Sequence, residues 1–180
     1  MAKRRSNSKK TNPVFFVLYD GNTEKQYLNL LNGIFTTKIK SIYKPQGIQK
    51  GKIDRTLTNN YFDASKDKLF ILADLDVEPE TKKLLEMDGI LLGSNPCIEL
   101  WFLLHYKDQT GFISSDKCKN KEIQGNHCSN YSPGKSFPSE MLVELETSYM
   151  EACKRAKNLN FPGNPSSTVY KLIEALVERS

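Results

Sequence analysis

Apolar runs alternate along this chain with segments whose apolar residues recur at helical spacing. The most informative run is Lys68-Leu-Phe-Ile-Leu-Ala-Asp-Leu-Asp76, in which Leu69 to Ala73 pass without a charge and two carboxylates follow, one residue apart. A strand covered by helices on both faces reads this way, because neither side needs polar residues. Val14-Phe-Phe-Val-Leu-Tyr19 has the same character and makes a first strand; Lys38 to Pro45 and Ile90-Leu-Leu92 make a shorter second and fourth. Between them, Tyr27, Leu28, Leu30, Leu31, Ile34 and Phe35 predict a helix from Glu24 to Phe35 with Thr23 as its N-cap. Ile53, Leu57 and Tyr61 mark a helix from Lys50 to Phe62, and Pro79 opens another that ends near Met87. This alternation predicts an α/β fold with a mostly parallel four-stranded sheet flanked by helices.

After the fourth strand, Ser94 or Asn95 is expected to cap a helix with Pro96 in its first turn, running to Tyr106. That helix is almost wholly apolar and therefore buried, with Glu99 as the exception. A lone carboxylate there costs several kcal/mol unless it is paired or binds a cation, about 2–7 kcal/mol already for a neutral polar group. Lys107 to Pro138 is poor in apolar residues and reads as a long irregular excursion. A helix is expected from Pro138 to Asn160, and Asn164-Pro-Ser-Ser167 is expected to cap a last one from Thr168 to Glu178. The resulting organisation is a tail over 1–12, an α/β core over 13–106, and an irregular then helical extension over 107–180 packed on that core as one domain.

Charge changes the picture only at the N-terminus. The net charge is +5, but Lys3, Arg4, Arg5, Lys9 and Lys10 all lie in the first ten residues. Without those five, the 26 basic residues fall to 21, equal to the 21 acidic ones, so the body is formally neutral. The tail is expected to be disordered and solvated, with nucleic-acid contact as its other reading. It is too polar for a signal peptide, and no run approaches a membrane span, so a soluble, cytoplasmic protein is expected. Cys97, Cys118, Cys128 and Cys153 form no dense framework and read as free thiols of a reducing compartment. Cys118, His127 and Cys128 match no standard zinc spacing and read as loop residues.

The chemistry collects at one sheet edge. Asp20 and Glu24 follow the first strand, Asp74 and Asp76 end the third, and Glu99 and Asn95 lie on the turn after the fourth. Parallel strands bring these turns to the carboxyl edge, where open α/β sheets bind ligands. That many carboxylates in one cleft call for one or two Mg2+ or Mn2+ ions to offset their repulsion, and such ions serve phosphodiester chemistry. Lys135, in a Gly/Pro loop, is a candidate phosphate clamp. His105 closes the apolar helix and reads as a packed or capping histidine, and Trp101 reads as core.

Asp20-Gly-Asn-Thr-Glu24, Asp74-Leu-Asp76, Ser94-Asn-Pro-Cys-Ile-Glu-Leu-Trp-Phe-Leu-Leu-His-Tyr106 and Asn164-Pro-Ser-Ser167 together resemble the RloB-like (AbiL-type) family. The resemblance implies a Toprim-like, Rossmann-like domain of bacterial restriction and phage-defence loci, encoded beside an AAA/ABC-type ATPase. It implies that Asp74 and Asp76 bind metal, that Glu24 is the second acid of the first motif, and that Glu99 and Asn95 complete the site. Asp20 stands where the family carries glutamate, one methylene longer, and a displacement of about 1 Å in a catalytic site can cost about 100-fold in rate. The function so implied is a metal-dependent nuclease acting on DNA or RNA with an ATPase partner, no membrane, and a possible homo-oligomeric state. The alternative is a catalytically weak or inactive module that docks on the ATPase and regulates it. A response-regulator-type phosphoacceptor ranks last, because it leaves the Asn95-Pro-Cys-Ile-Glu99 block unexplained.

Overall fold

The computed structural model describes residues 13–45, 49–76 and 78–179, so the basic tail lies outside the described residues. The expected strands form: β1 (Phe15–Tyr19), β2 (Ile39–Tyr43), β3 (Lys68–Asp74) and β4 (Ile90–Asn95). A fifth, β5 (Ser166–Ser167), joins them in the order β2-β1-β3-β4-β5, parallel throughout except for the antiparallel β4–β5 pair. The architecture is thus Rossmann-like α/β, with five strands among the described residues rather than four. The alternating helices are α1 (Asn22–Ile34), α2 (Lys50–Asn59), α3 (Glu78–Leu85) and α4 (Ile98–Tyr106). The extension adds a π-helix (Lys117–His127), α5 (Ser139–Thr147), α6 (Tyr149–Lys157) and α7 (Tyr170–Val177). Among the described residues no helix is long and apolar enough to cross a membrane.

Several local expectations are corrected by tertiary contacts. Gly21 rather than Thr23 is the N-cap of α1, and the Thr23 hydroxyl instead accepts the Gly134 N–H at 2.8 Å. Ser94 and Asn95 do not cap α4, because β4 runs on through them and Cys97 takes the N-cap position. The Ser94 hydroxyl meets that of Ser167 at 3.0 Å across the β4–β5 pair. Ser166 and Ser167, expected at a helix cap, form β5, and Thr168 continues the tie by accepting the Gly93 N–H and donating to the Leu91 carbonyl. The excursion expected to be irregular holds the eleven-residue π-helix, and the helix expected from Pro138 to Asn160 breaks at Ser148 into α5 and α6.

Strand alternation divides the core. Phe15, Val17, Phe70, Leu72 and Leu92 face α1, α4, the π-helix and α5 to α7, while Phe16, Leu18, Ile71 and Ala73 face α2 and α3. Right-handed crossovers require this arrangement: the chain moves one way from β1 to β2, then the other way to β3 and β4. The central helix is α4, in which every residue from Ile98 to His105 is buried. Its Trp101 indole N–H donates to the Tyr27 hydroxyl at 2.7 Å, and the Tyr27 ring packs on Phe102 at 5.4 Å. At its other end, Arg155 donates to the carbonyls of Leu104 and His105, supplying partners that a helix terminus lacks within itself.

The Tyr27–Trp101 bond makes a direct stability test. Tyr27→Phe preserves the packing but leaves a buried indole N–H without an acceptor, so urea denaturation should show a loss of about 1–3 kcal/mol at an unchanged m-value.

Candidate functional site

β1 and β3 are neighbours whose chains leave in opposite directions, β1 towards β2 and β3 towards β4. The crevice at their carboxyl ends is the switch point at which such sheets bind ligands. Three carboxylates reach it. Glu24 sits in the first turn of α1, buried, with its carboxylate folded back over Gly21 so closely that a Cβ at position 21 would collide with Oε2. Asp74 is the last residue of β3, and the alternation that turns Phe70 and Leu72 towards α1 and α4 turns Asp74 the same way. Its Oδ1 accepts the Ile98 N–H at 2.8 Å and so satisfies one of the unpaired donors at the start of α4. Glu99, one residue further on, is only 1 % exposed.

The electrostatics couple these groups. Asp74 is pushed up to about 8, first by burial and then by repulsion from Glu24 and Glu99. Glu24 is also raised, chiefly by burial and further by Asp20 and Glu99, against an opposing bond to its own backbone N–H. Glu99 Oε1 accepts the Tyr131 hydroxyl at 2.8 Å, and burial together with the Glu99 charge raises Tyr131, which keeps it protonated as the donor. Glu99 Oε2 is buried and has no hydrogen-bond partner among the described residues. Lys119, on the π-helix, brings its Nζ to 3.8 Å from that oxygen, an ion-pair separation too long for a hydrogen bond.

The other expected site residues lie around this group rather than in it. Asp20 is at the right edge and its charge reaches Glu24, but its carboxylate is 39 % exposed and held by Lys44 at 2.6 Å. Asp76 follows the end of β3, exposed, and acts on Lys119 through its charge. Asn95 is turned away, its amide donating to the Pro162 carbonyl at 2.9 Å. The Lys135 side chain is exposed; the turn that carries it does close over the acids, but through the Gly134 N–H on Thr23 and through Tyr131. Gly134 has φ +76, which permits that turn.

Lys119 and Tyr131 are the residues that sequence reasoning missed. Lys119 sits among Lys117 and Lys121 with nothing local to separate them, and the one available sign was the buried anchors Cys118 and Ile123 beside it. His105 is packed as expected, with Nδ1 3.0 Å from the Trp101 carbonyl and its proton affinity driven by burial down to about 4. All four cysteines are free and buried; Cys118 lies on the π-helix rather than in a loop, and Cys128 stands just past that helix. Cys118 meets Cys97, Cys128 meets Glu140, and His127 stacks on Tyr106.

Glu24, Asp74 and Glu99 have the donor chemistry of a hard divalent cation's ligands, though not its arrangement. Every donor is a carboxylate oxygen, one buried oxygen has no hydrogen-bond partner among the described residues, and the repulsion that adds to burial in raising Asp74 is of the kind a cation relieves. As they stand, no group of three or more His, Cys, Asp or Glu side chains among the described residues is placed so that it could hold a metal ion, so these acids would have to draw together around one.

The shift of Asp74 has a sign that can be measured. Its ordinary value of 3.8 rises to about 8, so the folded chain keeps a proton that the unfolded chain releases, and stability falls as pH rises through that interval. Urea denaturation in EDTA between about pH 7 and pH 8.5, above the range in which histidines change charge, should show stability falling with pH. Wild type should lose about 1 kcal/mol across that window, and Asp74→Asn, which keeps an acceptor for the Ile98 N–H but cannot ionise, should flatten the slope.

No curated protein and no solved structure matches this chain. A family model described as RloB-like protein matches residues 15–176, from the first residue of β1 to the last turn of α7. With the sheet, the acidic turns and the extension that covers them all inside the matched span, the chain belongs to the RloB-like family.

Proposed function

We propose that this chain is a divalent-metal-dependent nuclease of the Toprim type, hydrolysing phosphodiester bonds of DNA or RNA as the effector of an anti-phage defence pair with an AAA/ABC-type ATPase. The observation that carries the reading is the meeting of Glu24, Asp74 and Glu99, from three different elements, at the switch point of the sheet. Glu24, Asp74 and Glu99 would hold Mg2+ or Mn2+, with Asp76 at the open side. When bound, such an ion polarises a phosphoryl oxygen, activates a water and steadies the leaving alkoxide. Glu24, whose proton affinity is raised by burial, is suited to take the proton of the attacking water at its carboxylate. Asp74 holds the start of α4 in place through the Ile98 N–H, and Tyr131 orients Glu99. Lys119, Lys135 and the lysines of the tail are the cations available to phosphate oxygens. The folded body is formally neutral, and affinity for a phosphate backbone scales with the charges neutralised, so presentation of the substrate by the partner fits this composition.

One observation favours the second reading, a module that docks on the ATPase without cutting. Asp20, where the resembling motif carries glutamate, is paired with Lys44 at 2.6 Å instead of entering the carboxylate group.

Cleavage of plasmid, single-stranded DNA and tRNA, with Mg2+ or Mn2+ and with the partner present and absent, separates the two. Wild type should cut under at least one of these conditions, and Asp74→Ala and Glu24→Ala should each lose about 100-fold or more. Cutting that survives both substitutions removes this site from the mechanism, and absence of cutting throughout favours the docking module. Millimolar Mg2+ should also raise the melting temperature of wild type, and Asp74→Ala should lose that rise.

A further inference from the structure

On the face of the sheet opposite α1 and α4, a cleft of about 320 Å3 opens between α2 and the end of α3, walled by Ile53, Leu57, Phe62, Leu69 and Met87. Its size falls within the range that holds small molecules or a large side chain, roughly 300–1,000 Å3. Exposed apolar residues gather beside it. Leu85 and Ile90 lie within three residues of Met87, and Tyr61, next to Phe62, is 89 % exposed.

The backbone holds Tyr61 outward. At the end of α2 the Phe62 N–H donates to the Leu57 carbonyl at 3.1 Å and the Tyr61 N–H to the Thr58 carbonyl at 3.0 Å. That pair of bonds, with apolar residues at both ends of the longer one, is how a helix closes on a left-handed residue, and the left-handed position is usually glycine or asparagine. Here it is Tyr61, at φ 61, the one non-glycine residue with positive φ among the described residues. Glycine would close the helix with less strain. Tyr61 instead sets a large ring beside an apolar cleft of its own chain that it does not enter.

Protrusion and cleft lie side by side on one surface. Two copies can fill each other about a twofold axis only under that condition, since each must offer both halves of the contact. The charges agree: Lys50 and Lys83 stand against Asp54, Glu86 and Asp88 around the cleft, a rim of mixed sign that suits a copy of itself, whereas a nucleic acid or a strongly charged partner calls for one sign. Lys50 and Asp88 pair at 2.6 Å, while Lys83, Asp54 and Glu86 form no salt bridge among the described residues and are open to reciprocal pairs. We infer that this chain forms a twofold dimer in which Tyr61 of each copy enters the α2–α3 cleft of the other. The contact lies across the sheet from α1 and α4, which carry Glu24 and Glu99, and does not depend on the chemistry proposed for those acids.

Sedimentation velocity of the full chain from about 1 µM to about 200 µM should show wild type passing from monomer to dimer, with a Kd on the order of 10 µM. Tyr61→Gly suits the helix end, so at a concentration where both proteins are monomeric its urea midpoint should equal or exceed that of wild type, while its dimer affinity falls at least about 30-fold. Met87→Arg, which puts a charge in the cleft wall, should lose the dimer as well. Phe112→Ser removes an exposed aromatic from the extension and should associate as wild type does. A wild type that stays monomeric over the whole range overturns the inference and leaves the cleft to an occupant of other chemistry. Tyr61→Gly associating as tightly as wild type overturns it too, as does assembly beyond a dimer, which a closed twofold contact does not allow.

Discussion

The hydrogen bond from the Ile98 N–H to Asp74 Oδ1 joins the end of a central strand to the start of the most deeply buried helix. The site depends on that joint. It sets the point at which α4 begins and so places Glu99, one residue later, beside Asp74 and across from Glu24. It also gives a half-buried carboxylate one donor at the positive end of a helix, which partly offsets the cost of removing its charge from water. Because α4 carries Trp101 and Phe102 into the packing against Tyr27, the position of α1 follows from the same joint, and with it the position of Glu24.

Three carboxylates under mutual repulsion weaken a fold, and the surroundings show how the chain tolerates them. Tyr131 satisfies one oxygen of Glu99, Lys119 stands by the other, and Lys44 removes Asp20 from the contest. The stability comes from elsewhere, from β1 and β3 buried on both faces and from a core that extends through α4 to α7. Strain concentrated at a site and offset by packing at a distance is what a binding function demands of a protein of ordinary stability.

The second half of the chain is as much part of the site as the first. β5 extends the sheet next to β4, the π-helix delivers Lys119, and the turn from Ser132 to Lys135 docks on Thr23 and brings Tyr131 to Glu99. The α/β core supplies the acids, and the extension supplies the groups that orient and neutralise them.

The α/β class, the four parallel strands, the burial of α4 and the candidate acids were all legible in the sequence, because apolar periodicity and strand-end carboxylates are local signals that parallel topology carries to one edge. Asp74 and Glu24 could be found because each lies within two residues or one turn of a strand end. What tertiary structure decided was the division among the acids. Asp20 and Glu24 are four residues apart, yet one is partly exposed and pairs with Lys44 while the other is buried beside Asp74, a difference made by contacts over 20 and more residues. Lys119 and Tyr131 belong to the same class: a lysine among lysines and a tyrosine in a polar stretch acquire a role only when Cys118 and Gly134 dock their segments on the core. Ser94 and Ser166-Ser167 likewise read as helix caps until they pair with one another as strands. A short polar segment satisfies its backbone equally well by either route, and only the neighbour that the fold provides decides between them.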